Sequence, residues 1–136
     1  MQSQLQSVEN FPRGIRPRKF VFVLLPKFTL LSFTSALECL RISNRMANQV
    51  LYSWELVSEN GAPITCSAEI ELSIDHDLAE LNRDDTIMLC GGENIRAATT
   101  KRLLSWLRRE SRRGLAIAGL CTGAFPVSYT HLRAHE

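Results

Sequence analysis

The chain has no apolar run that approaches the ~20 residues needed to cross a bilayer. Its longest, Phe20-Val-Phe-Val-Leu-Leu25, is cut off by Pro26 and Lys27. Arg13, Arg16, Arg18 and Lys19 precede that run, yet it is too short for a signal peptide and no small-residue cleavage site follows. An excess of charge of one sign is also missing. The formal net charge of +2 is too small to imply a nucleic-acid or membrane partner by itself. The 4 cysteines, at 39, 66, 90 and 121, form no C-x-x-C pair, so the metal and redox motifs built on that spacing are excluded. Cys39 and Cys90 lie in apolar contexts and read as buried thiols, which suits a reduced, cytoplasmic protein. There is no internal repeat and no low-complexity tract, and neither a metal nor a cofactor is expected.

What is present fits one small domain of 136 residues, with 45% apolar and 22% charged residues as in an ordinary globular protein. The first eighteen residues read as a polar, mobile leader. Lys19–Leu25 is a strand buried on both faces. A helix follows, capped by Thr29 or Ser32 and running to about Met46, with Leu30, Phe33, Leu37, Leu40 and Ile42 on its apolar face. Leu51–Val57 is a second strand. Pro63–Cys66 and Ile70–Ile74 are short strand-like pieces that could form a hairpin. Thr86–Cys90 is a buried strand ending in Gly91-Gly92. Thr99–Arg113 is a helix with Leu103, Leu104, Leu107 and Trp106 towards the core, stopped by Gly114. Leu115–Ala118 is the last strand. This alternation predicts an α/β, flavodoxin-like layered fold with a largely parallel sheet.

Ligand sites in such sheets lie at the carboxyl ends of the strands. Three features converge there: the loop after Leu25, Gly91-Gly92, and Gly119-Leu-Cys-Thr-Gly123. The last is the cysteine form of a nucleophile elbow, a sharp turn that lifts one side chain above the sheet. Cys121 at that turn is the candidate nucleophile. A helix N-terminus behind it would favour the thiolate, and the Gly91-Gly92 amides would form an anion pocket opposite. The competing reading is inherited geometry without chemistry.

Beyond the elbow the pattern changes. Residues 126–136 offer little aliphatic packing, and Pro126 would fall in the second turn of the expected helix, at a cost of about 3 kcal/mol. These residues read as a tail foreign to the domain, so the domain is expected to span 19–125 and to be incomplete.

The segments Phe22–Phe28, Leu31–Glu38, Leu40–Arg45, Tyr52–Leu56, Cys90–Gly92 and Gly119–Phe125 together resemble the ThiJ/PfpI superfamily, whose fold is that of class I glutamine amidotransferases. Within it, the resemblance is to the sensor domain of GlxA-type AraC-family transcriptional regulators. It implies a ligand-sensing and dimerisation domain fragment, homodimeric when intact, that reaches DNA only through a C-terminal domain absent from this chain. It also implies no membrane partner and a small-molecule effector, an amino acid or a quaternary amine. The implied pocket is framed by Pro26, Phe28, Ser32, Gly91, Gly92, Cys121 and Thr122. The alternative is a ThiJ/PfpI-type enzyme (hydratase, amidase-like hydrolase or glyoxalase) using Cys121. Two departures from the catalytic pattern weigh against that. Ser32 stands where catalytic members carry an acid, with Glu38 too far along to replace it, and Thr122 stands where a base often follows the cysteine.

Other clusters have simpler explanations. His131 and His135 have metal-pair spacing but lie in the suspect tail. His76, between Asp75 and Asp77, reads as part of a solvated loop. Arg108, Arg109, Arg112 and Arg113 read as a solvated helix end favoured by the macrodipole. Glu38, Arg41, Asn44 and Arg45 read as paired residues on an exposed helix face, or as part of a dimer or ligand surface.

Overall fold

The structure, a computed structural model, describes residues 16–132. Most of the expected leader, His135 and the last four residues of the expected tail lie outside the described residues.

Four parallel strands form the sheet in the order β2-β1-β5-β6: β1 (Arg18–Leu24), β2 (Tyr52–Val57), β5 (Thr86–Cys90) and β6 (Ala116–Leu120). A small antiparallel hairpin, β3 (Ile64–Thr65) with β4 (Glu71–Leu72), forms a separate two-stranded sheet that pairs Ile64 with Leu72 and packs them on the core. The helices are α1 (Leu30–Ala47), α2 (Ile95–Ala98), α3 (Lys101–Arg112) and α4 (Ala124–Leu132). This is the α/β, largely parallel architecture that the sequence pattern predicts.

Alternation along the central strands divides the core in two, because successive side chains point to opposite faces. Val21, Val23, Ile87 and Leu89 pack with Leu103, Trp106 and Leu107 of α3. Phe22, Leu24 and Cys90 pack with Phe33 of α1 on the other face. Trp106 also anchors a loop, its Nε1 donating to the Ala79 carbonyl at 3.0 Å. Trp54 sits against the second cluster.

Several expectations need correction. Cys39 is exposed, because it lies on the side of α1 opposite Phe33, and Ile42 is 45% exposed for the same reason. The helix expected over 99–113 is α3, capped by Thr100 Oγ1 accepting from the Leu103 amide at 3.1 Å, and the short α2 before it was not expected. Arg113 is not on a solvated face. It donates to Glu110, which is fully buried, and to the Leu81 carbonyl at 2.7 Å. Asn44 is not an exposed pairing residue either. Its Oδ1 accepts from the Leu51 and Tyr52 amides at 2.8 and 2.9 Å, which ties α1 to the start of β2.

Pro126 carries less cost than the pattern suggested. A 3-10 turn over Cys121–Gly123 precedes α4, so Pro126 falls in the first turn, where an amide has no intrahelical acceptor to lose. Val127 packs on the first core cluster, and Phe125 meets Tyr129 edge-on at 5.4 Å. The segment read as foreign therefore begins inside this helix.

Candidate functional site

The carboxyl ends of three strands stand side by side, since Leu24 is in register with Cys90 and Cys90 with Leu120. The loops that leave them must therefore meet. The first carries Pro26 to Thr29, the second Gly91-Gly92, and the third Cys121-Thr122.

Glycine makes that meeting possible. A Cβ on Gly92 would lie 2.1 Å from the Lys27 carbonyl oxygen, and one on Gly123 would lie 2.0 Å from that of Leu89. No side chain fits at either position, so backbone touches backbone. Hydrogen bonds then close the edge. Thr29 donates its amide to Gly91 O at 3.0 Å, Glu93 donates to Lys27 O at 3.1 Å, and Thr122 Oγ1 donates to Gly92 O at 2.7 Å. The hairpin braces the first loop from outside, through Lys27 N to Thr65 O and Ser67 N to Phe28 O, both 2.9 Å.

Cys121 is exposed at the apex, with φ of 54°, the left-handed region. A residue with a Cβ holds that conformation at a cost of about 1–3 kcal/mol, and such strain collects where a fold presents a side chain for use. Its Sγ lies 3.4 Å from Thr29 Oγ1. Among the described residues, no carboxylate or imidazole makes a hydrogen bond to it. The arrangement can present a thiol and a hydroxyl to a ligand. Efficient covalent turnover needs a partner that takes a proton from the thiol and returns it, and among the described residues the thiol's hydrogen-bonding neighbour is the Thr29 hydroxyl.

The other expected pocket residues are distributed unevenly. Gly91, Gly92 and Thr122 are at the edge with Cys121, and Pro26 is exposed beside them. Phe28 is fully buried and packs edge-on against Phe33 at 5.8 Å, so it reaches the site by its backbone alone. Ser32 turns back on its own helix, donating to Thr29 O at 3.0 Å, and holds Thr29 in place without contacting the thiol. The expected Gly91-Gly92 anion pocket is halved, because the Gly91 amide is used by Leu120 O at 3.3 Å. Glu38 is held by Arg41 on the exposed face of α1, which keeps its carboxyl below the usual range.

Thr29 lies in the loop after Leu25 that the sequence placed at the site, but its contact with the thiol was not foreseen, since it was singled out only as a helix cap. It does occupy the N-cap position, but its hydroxyl does not cap and is free to face Cys121. Arg96 was missed as well. Its guanidinium lies 5.0 Å from the Phe125 ring centroid, a cation–π contact that brings the loop after Gly92 onto the start of α4.

A second polar cluster lies away from this edge. Lys19 Nζ binds Glu55 at 2.7 Å and Asp85 at 3.4 Å, while His76 bridges Glu55 and the Asp77 carbonyl. His76 is thus half-buried and paired, not part of a solvated loop. Burial alone would lower its pKa, but the Asp77 carbonyl, Glu55 and Asp75 outweigh it and raise the imidazole above its ordinary value. Burial would raise Glu55 in turn, and Lys19 and His76 together hold it below the ordinary value.

A model of the DJ-1/PfpI family matches residues 18–133. The HTH-type transcriptional regulator CdhR of Pseudomonas aeruginosa is 35% identical over 105 residues, covering 77% of this chain and 31% of that protein. The HTH-type transcriptional regulator GlxA of Rhizobium meliloti is 33% identical over 105 residues, covering 76% of this chain and 32% of that protein. The crystal structure of an AraC family transcriptional regulator from Pseudomonas putida superposes with a TM-score of 0.69 at 24% identity, covering 85% of this chain and 62% of that one. The fold is therefore shared with these proteins. The chain spans about a third of the length of the curated relatives it matches.

Proposed function

We propose a ligand-sensing role, starting from the fact that the chain belongs to the DJ-1/PfpI family. It is the sensor and dimerisation domain of an AraC-type transcriptional regulator in the cytoplasm. The curated relatives carry the name of HTH-type regulators, and that supports the class. DNA contact falls to a separate C-terminal helix-turn-helix domain. The effector is a charged nitrogenous metabolite, an amino acid or a quaternary amine. It sits against the loop Pro26–Leu31, Gly92 and Cys121-Thr122. Its binding energy biases the arrangement of the DNA-binding domains in a homodimer, to the extent that it binds one arrangement more tightly than the other.

The observation that carries this reading over an enzyme is the environment of Cys121. Its hydrogen-bonding neighbour is the Thr29 hydroxyl, a group suited to contacting a ligand and unable to act as a base at neutral pH. One observation favours the enzyme reading, in which Cys121 serves a hydratase, hydrolase or glyoxalase: the thiol is exposed on a left-handed residue.

Thermal melting against a panel of amino acids and quaternary amines tests the choice. A true effector at 100 times its Kd stabilises the fold by about 2.7 kcal/mol. The shift should shrink in Thr29→Ala, which removes the hydroxyl at the thiol. If no panel member binds and Cys121-dependent turnover of an amide or α-oxoaldehyde appears instead, the sensing role is lost to the enzyme.

A further inference from the structure

We propose that Arg96 is the residue that receives a carboxylate of the effector, so that this site selects a carboxylate-bearing compound. This rests on the sensing reading and adds the side chain by which the site chooses its ligand.

Arg96 is set beside the elbow by the short helix α2. A Cβ on Gly91 would lie 2.9 Å from Ile95 Cδ1 and 2.8 Å from Thr122 Oγ1, so the first residue of α2 and the residue after the thiol meet at one point. Arg96 comes next and is exposed. Its guanidinium lies 5.0 Å from the centroid of the Phe125 ring. Phe125 is the second residue of α4, four after Cys121. The side chain thus bridges two of the three strand-end segments that meet at the site.

The charge it brings there is not used up. Arg41, Arg102 and Arg113 each face a carboxylate. Among the described residues Arg96 makes no ion pair or hydrogen bond, not even with Glu93 three residues earlier, and its recorded partner is the ring. Contact with a ring attracts the charge but supplies no acceptor oxygen to the N–H donors of the fork. That planar fork matches a carboxylate through two parallel hydrogen bonds, and a guanidinium already held on a ring loses less freedom on binding one.

The neighbours leave this task to Arg96. The Gly91 amide is spent on Leu120 O at 3.3 Å and cannot receive an anion. Lys27 is the other cation of the three segments; it is exposed, has no ring partner among the described residues, and offers a point charge instead of a fork.

Calorimetric titration of the full chain tests this with two sets of ligands: amino acids and carboxylate-bearing quaternary amines, and the carboxamide of each. Wild type should bind an acid at least ~tenfold more tightly than its amide. Arg96→Ala and Arg96→Gln should both lose that preference, and Arg96→Lys, which keeps the charge without the fork, should retain part of it. Phe125→Leu, which releases the guanidinium from its ring, should narrow the preference. Lys27→Ala should keep it whole. Arg96 is exposed, and circular dichroism confirms that each variant is folded. A merely structural clamp between α2 and α4 would weaken acid and amide together and leave their ratio unchanged. A preference kept in Arg96→Ala and Arg96→Gln, or lost in Lys27→Ala, overturns the assignment and leaves the sensing role standing. So does a wild type that binds the amides as tightly as the acids. Binding of neither set by wild type overturns both.

Discussion

Replacing Gly92 with alanine adds one methyl group at the place where the strand-end loops touch. That Cβ would lie 2.1 Å from Lys27 O, 2.7 Å from Thr29 N and 2.8 Å from Phe28 C. All three are backbone atoms, so no rotamer change relieves the clash and the segment 27–29 must move. Two hydrogen bonds span the same contact, Glu93 N to Lys27 O at 3.1 Å and Thr29 N to Gly91 O at 3.0 Å. Overpacking with backbone displacement and the weakening of both bonds together give about 2–6 kcal/mol of lost stability. That is a large share of the ~5–15 kcal/mol a domain has in total. Gly114→Ala is the control of opposite character. It has φ of +96° and nothing within 4 Å, so only the left-handed conformation resists a Cβ, at about 1–2 kcal/mol. Urea denaturation followed by tryptophan fluorescence measures both. Gly92→Ala should be the worse variant by a clear margin. A Gly92→Ala unfolding free energy within ~0.5 kcal/mol of wild type, or a Gly114→Ala that costs more, would refute the close-contact reasoning.

Two further predictions follow from strain and from linkage. Cys121→Gly should stabilise the chain by about 1 kcal/mol, because it releases a left-handed residue at φ 54° from its Cβ; an unchanged or lower urea midpoint would show that the elbow is not strained. The His76–Glu55 pair should place the stability maximum between their ordinary values of 6.5 and 4.5. The raised His76 contributes fully below 6.5, and that contribution is lost as pH rises through its folded value. The lowered Glu55 contributes fully above 4.5, and that is lost as pH falls through its folded value. In His76→Gln the decline of melting temperature on the alkaline side should flatten, and an unchanged profile there would remove His76 from the account.

Local chemistry determined much of this protein. Val-, Phe- and Leu-rich runs bounded by Pro and Gly define strands whatever surrounds them, and the order of those strands and helices leaves few parallel topologies. Gly-x-Cys-x-Gly after a strand marks an elbow by itself; Gly119 is required by backbone of Gly123 and Ala124 a few residues on, although Gly123 is required by Leu89 of the neighbouring strand. Sheet position, however, depends on pairing over long separations. Only the fold aligns Leu24, Cys90 and Leu120, and thereby brings Thr29 to Cys121 across 92 residues of chain. The same holds for burial. Cys39 and Ile42 look like core residues in their apolar context, yet which side of α1 meets the sheet is set by Phe33 and by Asn44, whose amide locks onto the start of β2. Gly91 and Gly92 look alike in sequence, but the neighbouring strand takes the amide of one and not the other. Periodicity and turn chemistry are carried by neighbours in the chain; contacts between strand ends, and the thiol–hydroxyl pair they create, exist only once the sheet has closed around them.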